Sequence, residues 1–274
     1  MINIYISGKN GFIGSSLTDK LRKDSNYQII EEEFRLDEIQ KIKVFRPEII
    51  VHCAAKVSSR YCEENLISAF ESNVRGTLNI AEVARDMQAY LIYLSSVVVY
   101  NFKADNNVIL ETSKVNPHTW YGKTKLMGEQ CISLIPNASI LRLGFIYGDP
   151  KKDKYSLISS LIKKEKFFRV GDYQKDYLYI DDCIEAIKRI IDIKYVGVIN
   201  IGGGRAYKTQ DIVKFLNGDL SFLDNQSDYI KSFVILPSKI YHLTKWRPIT
   251  DFWVKLLELR KEYGNENTHQ RKSF

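Results

Sequence analysis

In this 274-residue chain, the residues whose types and spacing most directly suggest chemistry are Tyr121 and Lys125, four apart in YGKTK. On a helix they lie one above the other on a single face. Redox chemistry at a carbinol or carbonyl requires a proton to leave or reach the oxygen as hydride moves. A phenol with a pKa of about 10 is a poor base at neutral pH, and an ammonium one turn away is expected to depress it. Upstream, Ser95-Ser96 ends an apolar run, which places the Ser96 hydroxyl to hydrogen-bond a substrate oxygen.

Such a pair works only beside a hydride carrier, and the amino terminus carries a cradle for one. Gly8-Lys9-Asn10-Gly11-Phe12-Ile13-Gly14 joins strand-like Ile2–Ser7 to helical Phe12–Leu21. Glycines there permit a tight turn, close approach of backbone to a pyrophosphate, and close packing of helix on strand. The helix start offers free N–H groups and a positive dipole end. The spacing, G-x-x-G-x-x-G, is one residue longer in its first gap than G-x-G-x-x-G. A dinucleotide is the implied ligand, and its positive nicotinamide ring would further favour the Tyr121 phenolate. Glu31, Glu32 and Glu33 follow the next strand, where a carboxylate accepts from a ribose 2′-OH and disfavours a 2′-phosphate. Arg35 in the same loop is able to pair with that phosphate. The reading favours NAD and leaves NADP open.

The elements that must hold these residues alternate. Strands are expected at Ile2–Ser7, Tyr27–Glu31, Glu48–Ala54, Tyr90–Ser95 and Ala138–Leu143, with helices at Phe12–Leu21, Leu36–Phe45, Ala69–Met87 and Leu126–Leu134. This argues for an α/β fold with a doubly wound parallel sheet. Residues 1–150 are expected to form the dinucleotide-binding domain, joined by parts of 171–204. Residues 151–263 are expected to be mainly a substrate lobe, with a basic helix over Lys151–Phe168 and another helix over Thr250–Tyr263. The polar tail 264–274 is expected to be frayed.

Composition sets the outer limits. Hydrophobic residues make up 45% and charged residues 27%, enough apolar mass for a full core. No run is long enough to cross a membrane and no leader-like amino terminus is evident, so a cytoplasmic protein is expected. Cys53, Cys62, Cys131 and Cys183 are scattered without metal-ligand spacing, so neither disulfide nor metal is expected. The net charge of +7 includes clusters at Lys151–Lys154 and Lys163–Lys166. Without a nucleic-acid motif, these read as solvated faces that draw in an anionic small substrate rather than as a nucleic-acid surface.

Further stretches accompany GKNGFIG and YGKTK in order: HCAA (52–55), NVRGT (73–77), SSVVVY (95–100), LRLGFIYG (141–148), KDYLYIDD (175–182), NIGGG (200–204) and KWRP (245–248). Over about residues 1–260 the chain resembles the extended short-chain dehydrogenase/reductase family, whose members are sugar-nucleotide epimerases, dehydratases and reductases. The resemblance implies a Rossmann-type fold and a nucleotide-sugar substrate; a homodimer is compatible with the sequence, which does not fix the oligomeric state. The resemblance also implies catalytic roles for Ser96, Tyr121 and Lys125, and diphosphate contacts for Gly8, Asn10, Gly11, Phe12, Ile13 and Gly14. Ala54 and Ala55 would lie along the cofactor and Asn73 would order the strand ends beside it. Phe145, Lys175 and Tyr177 would face the substrate.

The chain also departs from family patterns. Val97 and Val98 stand where the 4,6-dehydratases place Asp-Glu, which removes elimination of water. Val98 also stands where epimerases that invert two carbons place a cysteine. Phe145 replaces a frequent asparagine and Lys175 a frequent arginine. A 4-keto reductase and a 4-epimerase with retained NAD both remain, the reductase favoured by the short Glu32–Pro47 region and by YGKTK. A non-catalytic NAD(P)-binding sensor or scaffold is the third reading.

Overall fold

In a computed structural model of the chain, residues 1–102, 108–165, 170–171, 173–216, 218, 220–224 and 232–270 are described. Six parallel strands make the central sheet: β1 (Ile2–Ser7), β2 (Tyr27–Ile29), β3 (Ile49–His52), β4 (Tyr90–Ser96), β5 (Ala138–Leu143) and β6 (Gly197–Ile201). Their spatial order is β6-β5-β4-β3-β1-β2. The chain leaves β1 toward β2 and returns on the other side to β3. This makes the carboxyl edge of β1 and β3 the switch point at which open α/β sheets bind ligands.

The apolar runs become strands because both sheet faces are covered. Every residue of β3 and of β5 is buried. Ile4, Ile6, Val51, Ile92 and Leu141 point into one core with Leu17 and Leu21 of the Phe12–Leu21 helix and Ile184, Ile187 and Ile191 of the Ile180–Ile193 helix. Their strand neighbours Tyr5, Ile50, Leu91, Tyr93 and Ile140 point into the other, against Ile80, Val83 and Ile132. The period of two that separates these sets is the strand's own.

Several expected elements shift. Leu36–Phe45 contracts to a 3-10 helix over Ile39–Phe45. The expected helix Ala69–Met87 is broken by a π turn at Glu71–Arg75, followed by the helix Gly76–Met87. In the basic segment only Leu157–Lys163 is helical among the described residues, with Lys166–Phe168 outside them. The last helix runs Phe252–Gln270, so the tail expected to fray continues as helix to Gln270, and 271–274 lie outside the described residues.

Phe145–Tyr147 leaves the central sheet and pairs with Gln174–Tyr179, which pairs antiparallel with Ala206–Lys208. This small sheet packs its Tyr147 and Tyr177 against Ile158, Ile212, Phe252 and Leu256 in a separate core. Asp176 fastens it. Its Oδ1 accepts from the Gly203 N–H at 2.5 Å and its Oδ2 from the Ile235 N–H at 3.0 Å. Burial pushes the carboxyl up to about 7, against these bonds and those from the Gly204 and Arg205 N–H groups. Asp176→Asn puts an amide N–H against backbone donors, and is expected to lower unfolding free energy by about 1–3 kcal/mol in urea titration. An unchanged midpoint would show that the clamp is dispensable.

Candidate active site

The glycine turn is closed too tightly to admit side chains. Gly8 has φ +70°, and a Cβ there would lie 2.9 Å from the Ala54 backbone. A Cβ on Gly14 would lie 2.2 Å from the Gly8 carbonyl oxygen, which already accepts from the Gly11 N–H at 2.9 Å. Gly11 is the N-cap, with no side chain capping the helix and no acid in its first turn. The first intrahelical bond runs from the Ser15 N–H to the Gly11 carbonyl, so the N–H groups of Phe12, Ile13 and Gly14 come ahead of the ladder. An anion fits this end.

At the end of β2, Glu31 is already occupied. Arg22 donates to its carboxylate from Nε and Nη2 at 2.7–3.1 Å, and Lys9 in the glycine turn reaches the same residue. The Arg22 bonds hold the Glu31 carboxyl below its ordinary range. Asn10 donates to Glu33. Arg35 pairs with Asp37 at 3.1 Å, its side chain 79% exposed. Glu31 and Asn10 therefore adjoin the turn, whereas Arg35 is engaged within its own loop.

Beyond β3, the Ala54 N–H donates to Ser7 Oγ at 3.3 Å, and Ser7 also bonds buried His52 at 2.7 Å. Burial holds His52 down to about 3, so the ring is neutral between Ser7 and Thr77. Ala55 follows, and then Lys56, both of whose backbone groups are clamped by Asn73: Oδ1 accepts from the Lys56 N–H at 2.7 Å and Nδ2 donates to its carbonyl at 3.0 Å. The same Nδ2 reaches Thr124 Oγ1 at 3.0 Å. Asn73 bonds backbone, and in doing so ties the β3 end to the helix of Tyr121. Its position in a π turn is one that recurs at functional sites.

That helix, Trp120–Ile132, is capped by Thr119, whose Oγ1 accepts from the Gly122 N–H at 3.1 Å. Glu63 Oε1 accepts from the Trp120 N–H at 2.6 Å, and the Trp120 indole donates to the Leu66 carbonyl at 3.0 Å. A Cβ on Gly122 would lie 2.7 Å from the Val98 carbonyl oxygen, so the helix rests directly on the Ser96–Val98 loop. This contact brings Tyr121 to Ser96, close enough that the serine hydroxyl acts to lower the phenol's pKa.

Lys125 is buried, with its Nζ 4.1 Å from the centre of the Tyr93 ring. The expected depression of the Tyr121 pKa by Lys125 is not what this structure holds. Burial raises the phenol well above its ordinary value, opposed by the Ser96 hydroxyl, and Lys125 lies over Tyr93 instead. Burial likewise lowers Lys125 to about 7, with Glu129 pulling upward.

On the other side of Ser96, Phe145 continues from Leu143, the register partner of Ser96. Lys175 Nζ lies 4.8 Å from the Phe145 ring centre and 4.6 Å from that of Tyr173. Burial works against the Lys175 charge, but Tyr177 and Tyr173 outweigh it and raise its pKa. The Tyr177 hydroxyl is buried with no protein partner among the described residues. Phe145, Lys175 and Tyr177 are thus brought together as one wall.

Glu63, Glu129 and Arg142 belong to this frame and were missed in the sequence. Glu129 four residues past Lys125 and a charged residue inside the apolar run SILRL were the available signals. A hollow of about 540 Å³ lies at the opposite, amino-terminal edge of the sheet, lined by Arg46, Gln88 and Lys194 among others. These three are exposed left-handed helix caps, where a cation or amide complements the helix end, and no catalytic group faces them.

Residues 2–177 match the family described as the RmlD substrate binding domain. The chain belongs to that family, within the extended short-chain dehydrogenases/reductases. A putative UDP-glucose 4-epimerase of Methanocaldococcus jannaschii is 27% identical over 255 residues, covering 80% of this chain and 83% of that protein. A dTDP-4-dehydrorhamnose reductase of Aggregatibacter actinomycetemcomitans is 30% identical, covering 54% of this chain and 53% of its own. Methionine adenosyltransferase 2 subunit beta of Xenopus laevis is 32% identical, covering 59% and 52%. The crystal structure of UDP-glucuronic acid 4-epimerase from Bacillus cereus, in complex with UDP-glucuronic acid and NAD, superposes with TM-score 0.85 at 23% identity, covering 96% of this chain and 99% of that one. The family's fold therefore extends past the matched residues.

Lys125→Met removes a buried ammonium and is expected to raise thermal stability. The folded-state pKa near 7 lies below the unfolded value of 10.5, so the penalty is complete below pH 7 and fades as pH rises toward 10.5. The melting-temperature gain should therefore be largest at and below neutral pH and shrink in alkaline buffer. A gain independent of pH would contradict this origin.

Proposed function

We propose that the protein reduces the 4-keto group of a nucleotide-activated sugar with NADH or NADPH. The observation that carries this reading is the packing of the Tyr121 helix directly on the Ser96–Val98 loop, with Lys125 buried one turn along, at the carboxyl edge where the glycine turn opens. The turn suits a dinucleotide because Gly8 and Gly14 leave no room for Cβ atoms and its helix end is uncapped. When bound, the reduced nicotinamide supplies hydride to the carbonyl carbon.

Burial keeps Tyr121 protonated, which suits it to give a proton to the carbonyl oxygen as that oxygen becomes an alcohol. The Ser96 hydroxyl donates to the same oxygen, and Lys125 lies one turn along the same helix from Tyr121. Lys175 over its aromatic rings and the unpartnered Tyr177 hydroxyl suit the diphosphate and nucleotide of the substrate. Val97 and Val98 offer no acid for eliminating water, so the reaction ends at the alcohol. With Glu31 neutralised by Arg22 and Lys9, neither NAD nor NADP is rejected by charge alone.

The archaeal relative's name favours a second reading, a 4-epimerase that retains NAD and returns hydride to the opposite face of the sugar. The relatives named as a methionine adenosyltransferase subunit raise a non-catalytic role, which the complete Ser96, Tyr121 and Lys125 set argues against.

The test is loss of reduced-nicotinamide absorbance on adding a nucleotide-linked 4-keto-6-deoxy sugar, together with assay of cofactor carried by the purified protein. An empty site and stoichiometric oxidation are expected. Stoichiometric retained NAD, with interconversion of 4-epimers, would establish the epimerase instead. Tyr121→Phe should lower kcat by about 10²–10⁴-fold while leaving NADPH affinity nearly unchanged. Full turnover in that variant would remove the mechanism.

A further inference from the structure

Glu129 stands one helical turn beyond Lys125, on the same side of the Trp120–Ile132 helix. Its side chain is 6% exposed. The carboxylate takes three hydrogen bonds: Oε1 accepts from Ser95 Oγ at 2.6 Å and Arg142 Nε at 2.9 Å, and Oε2 from Arg142 Nη2 at 2.7 Å. Arg142 Nη1 donates to the Tyr100 hydroxyl at 2.9 Å, which donates to Asn200 Oδ1 at 2.7 Å. One buried polar chain therefore spans β4, the Tyr121 helix, β5 and β6.

Buried ion pairs seldom stabilise a fold more than apolar residues of the same volume would. Two placements show what this one serves. Ser95 immediately precedes Ser96, so the bond from Ser95 to Glu129 fixes the strand end that presents the Ser96 hydroxyl. The second placement concerns Lys125, which is faced by His52 at the end of β3 and Cys53 just past it, the Tyr93 ring from β4, and Tyr121 and Glu129 from its own helix. Burial keeps His52 neutral and pushes the Cys53 thiol up to about 12, and it keeps the Tyr93 and Tyr121 phenols protonated. Among these groups Glu129 is the one with a formal negative charge.

We propose that Glu129 is a positioning residue of this active site: through Ser95 it fixes the strand end that carries Ser96, and from one helical turn away it sets a carboxylate on the same side as Lys125. Arg142 holds that carboxylate in place. The catalytic importance of the ammonium rests on the reductase reading above, but its charge state is measurable without any turnover.

The measurement is an NMR titration of the Lys125 side chain in the full-length protein labelled with ¹³C,¹⁵N-lysine, the signal assigned by its loss in Lys125→Met. In the unaltered protein the signal should titrate near neutrality. Glu129→Gln should move the midpoint down by about one unit, a tenfold change in protonated fraction. Glu129→Asp should restore most of that displacement.

Because Glu129→Gln leaves Arg142 uncompensated, the double variant Glu129→Gln with Arg142→Met is measured beside it. It removes both charges and is expected to fold, with the midpoint displaced in the same direction. A folded double variant whose Lys125 titrates as in the unaltered protein overturns the proposal. In turnover, the alkaline limb of kcat/KM for reduction should move to lower pH by the same amount. Lost turnover with an unmoved limb and an unmoved Lys125 midpoint would reduce Glu129 to a structural role. Absence of all turnover in the unaltered protein, with the NMR displacement intact, would instead count against the reductase reading.

Discussion

Parallel strand pairing is the constraint from which the site follows. Ser7 pairs with His52, His52 with Tyr93, and Ser96 with Leu143, so four strands run in register to one edge, β4 and β5 extending three residues further. Whatever follows each strand is delivered to that edge: the glycine turn after β1, Ala54 to Lys56 after β3, the Ser96–Val98 loop after β4, and Phe145 after β5. Because β1 lies between β2 and β3, the chain diverges there and opens the crevice. A slip of one residue in any pair would turn its side chains to the other face, and the apolar alternation of both cores forbids it.

Delivery to an edge leaves the loops needing fixation, and buried polar groups provide it. His52 holds Ser7, which holds Ala54. Asn73 grips Lys56 and Thr124, and Glu63 takes the first N–H of the Tyr121 helix. Asp176 gathers the Gly203 and Ile235 N–H groups behind the substrate wall, and Glu129 binds Ser95 to Arg142. Each would be costly if left unpaired, and each instead satisfies backbone or side-chain partners on a second element. The site is thus rigid in its supports, while the buried Tyr177 hydroxyl has no partner among the described residues.

Much of this was legible in the sequence where the signal is local. Ile2–Ser7, Phe12–Leu21 and Ala138–Leu143 emerge with the boundaries their periodicity implies, and the glycine turn lies between the strand and helix that its spacing demands. Signals failed where distant packing decides. Leu36–Phe45 has helical spacing but too little length before β3, and it tightens to a 3-10 helix. Phe145–Tyr147 reads as a continuation of β5, yet Gly144 turns it into the small sheet beside Gln174–Tyr179. The charge of Lys125 was expected to act on Tyr121, but burial of both groups, which no spacing reveals, reverses the sign on the phenol. Glu129 and Arg142 meet 13 positions apart only because a helix and a strand pack together.

We infer that the carboxyl edge, rather than the hollow at the amino-terminal edge, receives the dinucleotide. Hydrogen exchange read by mass spectrometry, with and without saturating NADPH, tests it directly because protection maps to the backbone that the ligand orders. Slowed exchange is predicted in residues 8–14, 54–56 and 121–125, with residues 43–48 and 194–196 unchanged. Protection confined to the second set, around Arg46 and Lys194, would contradict the account.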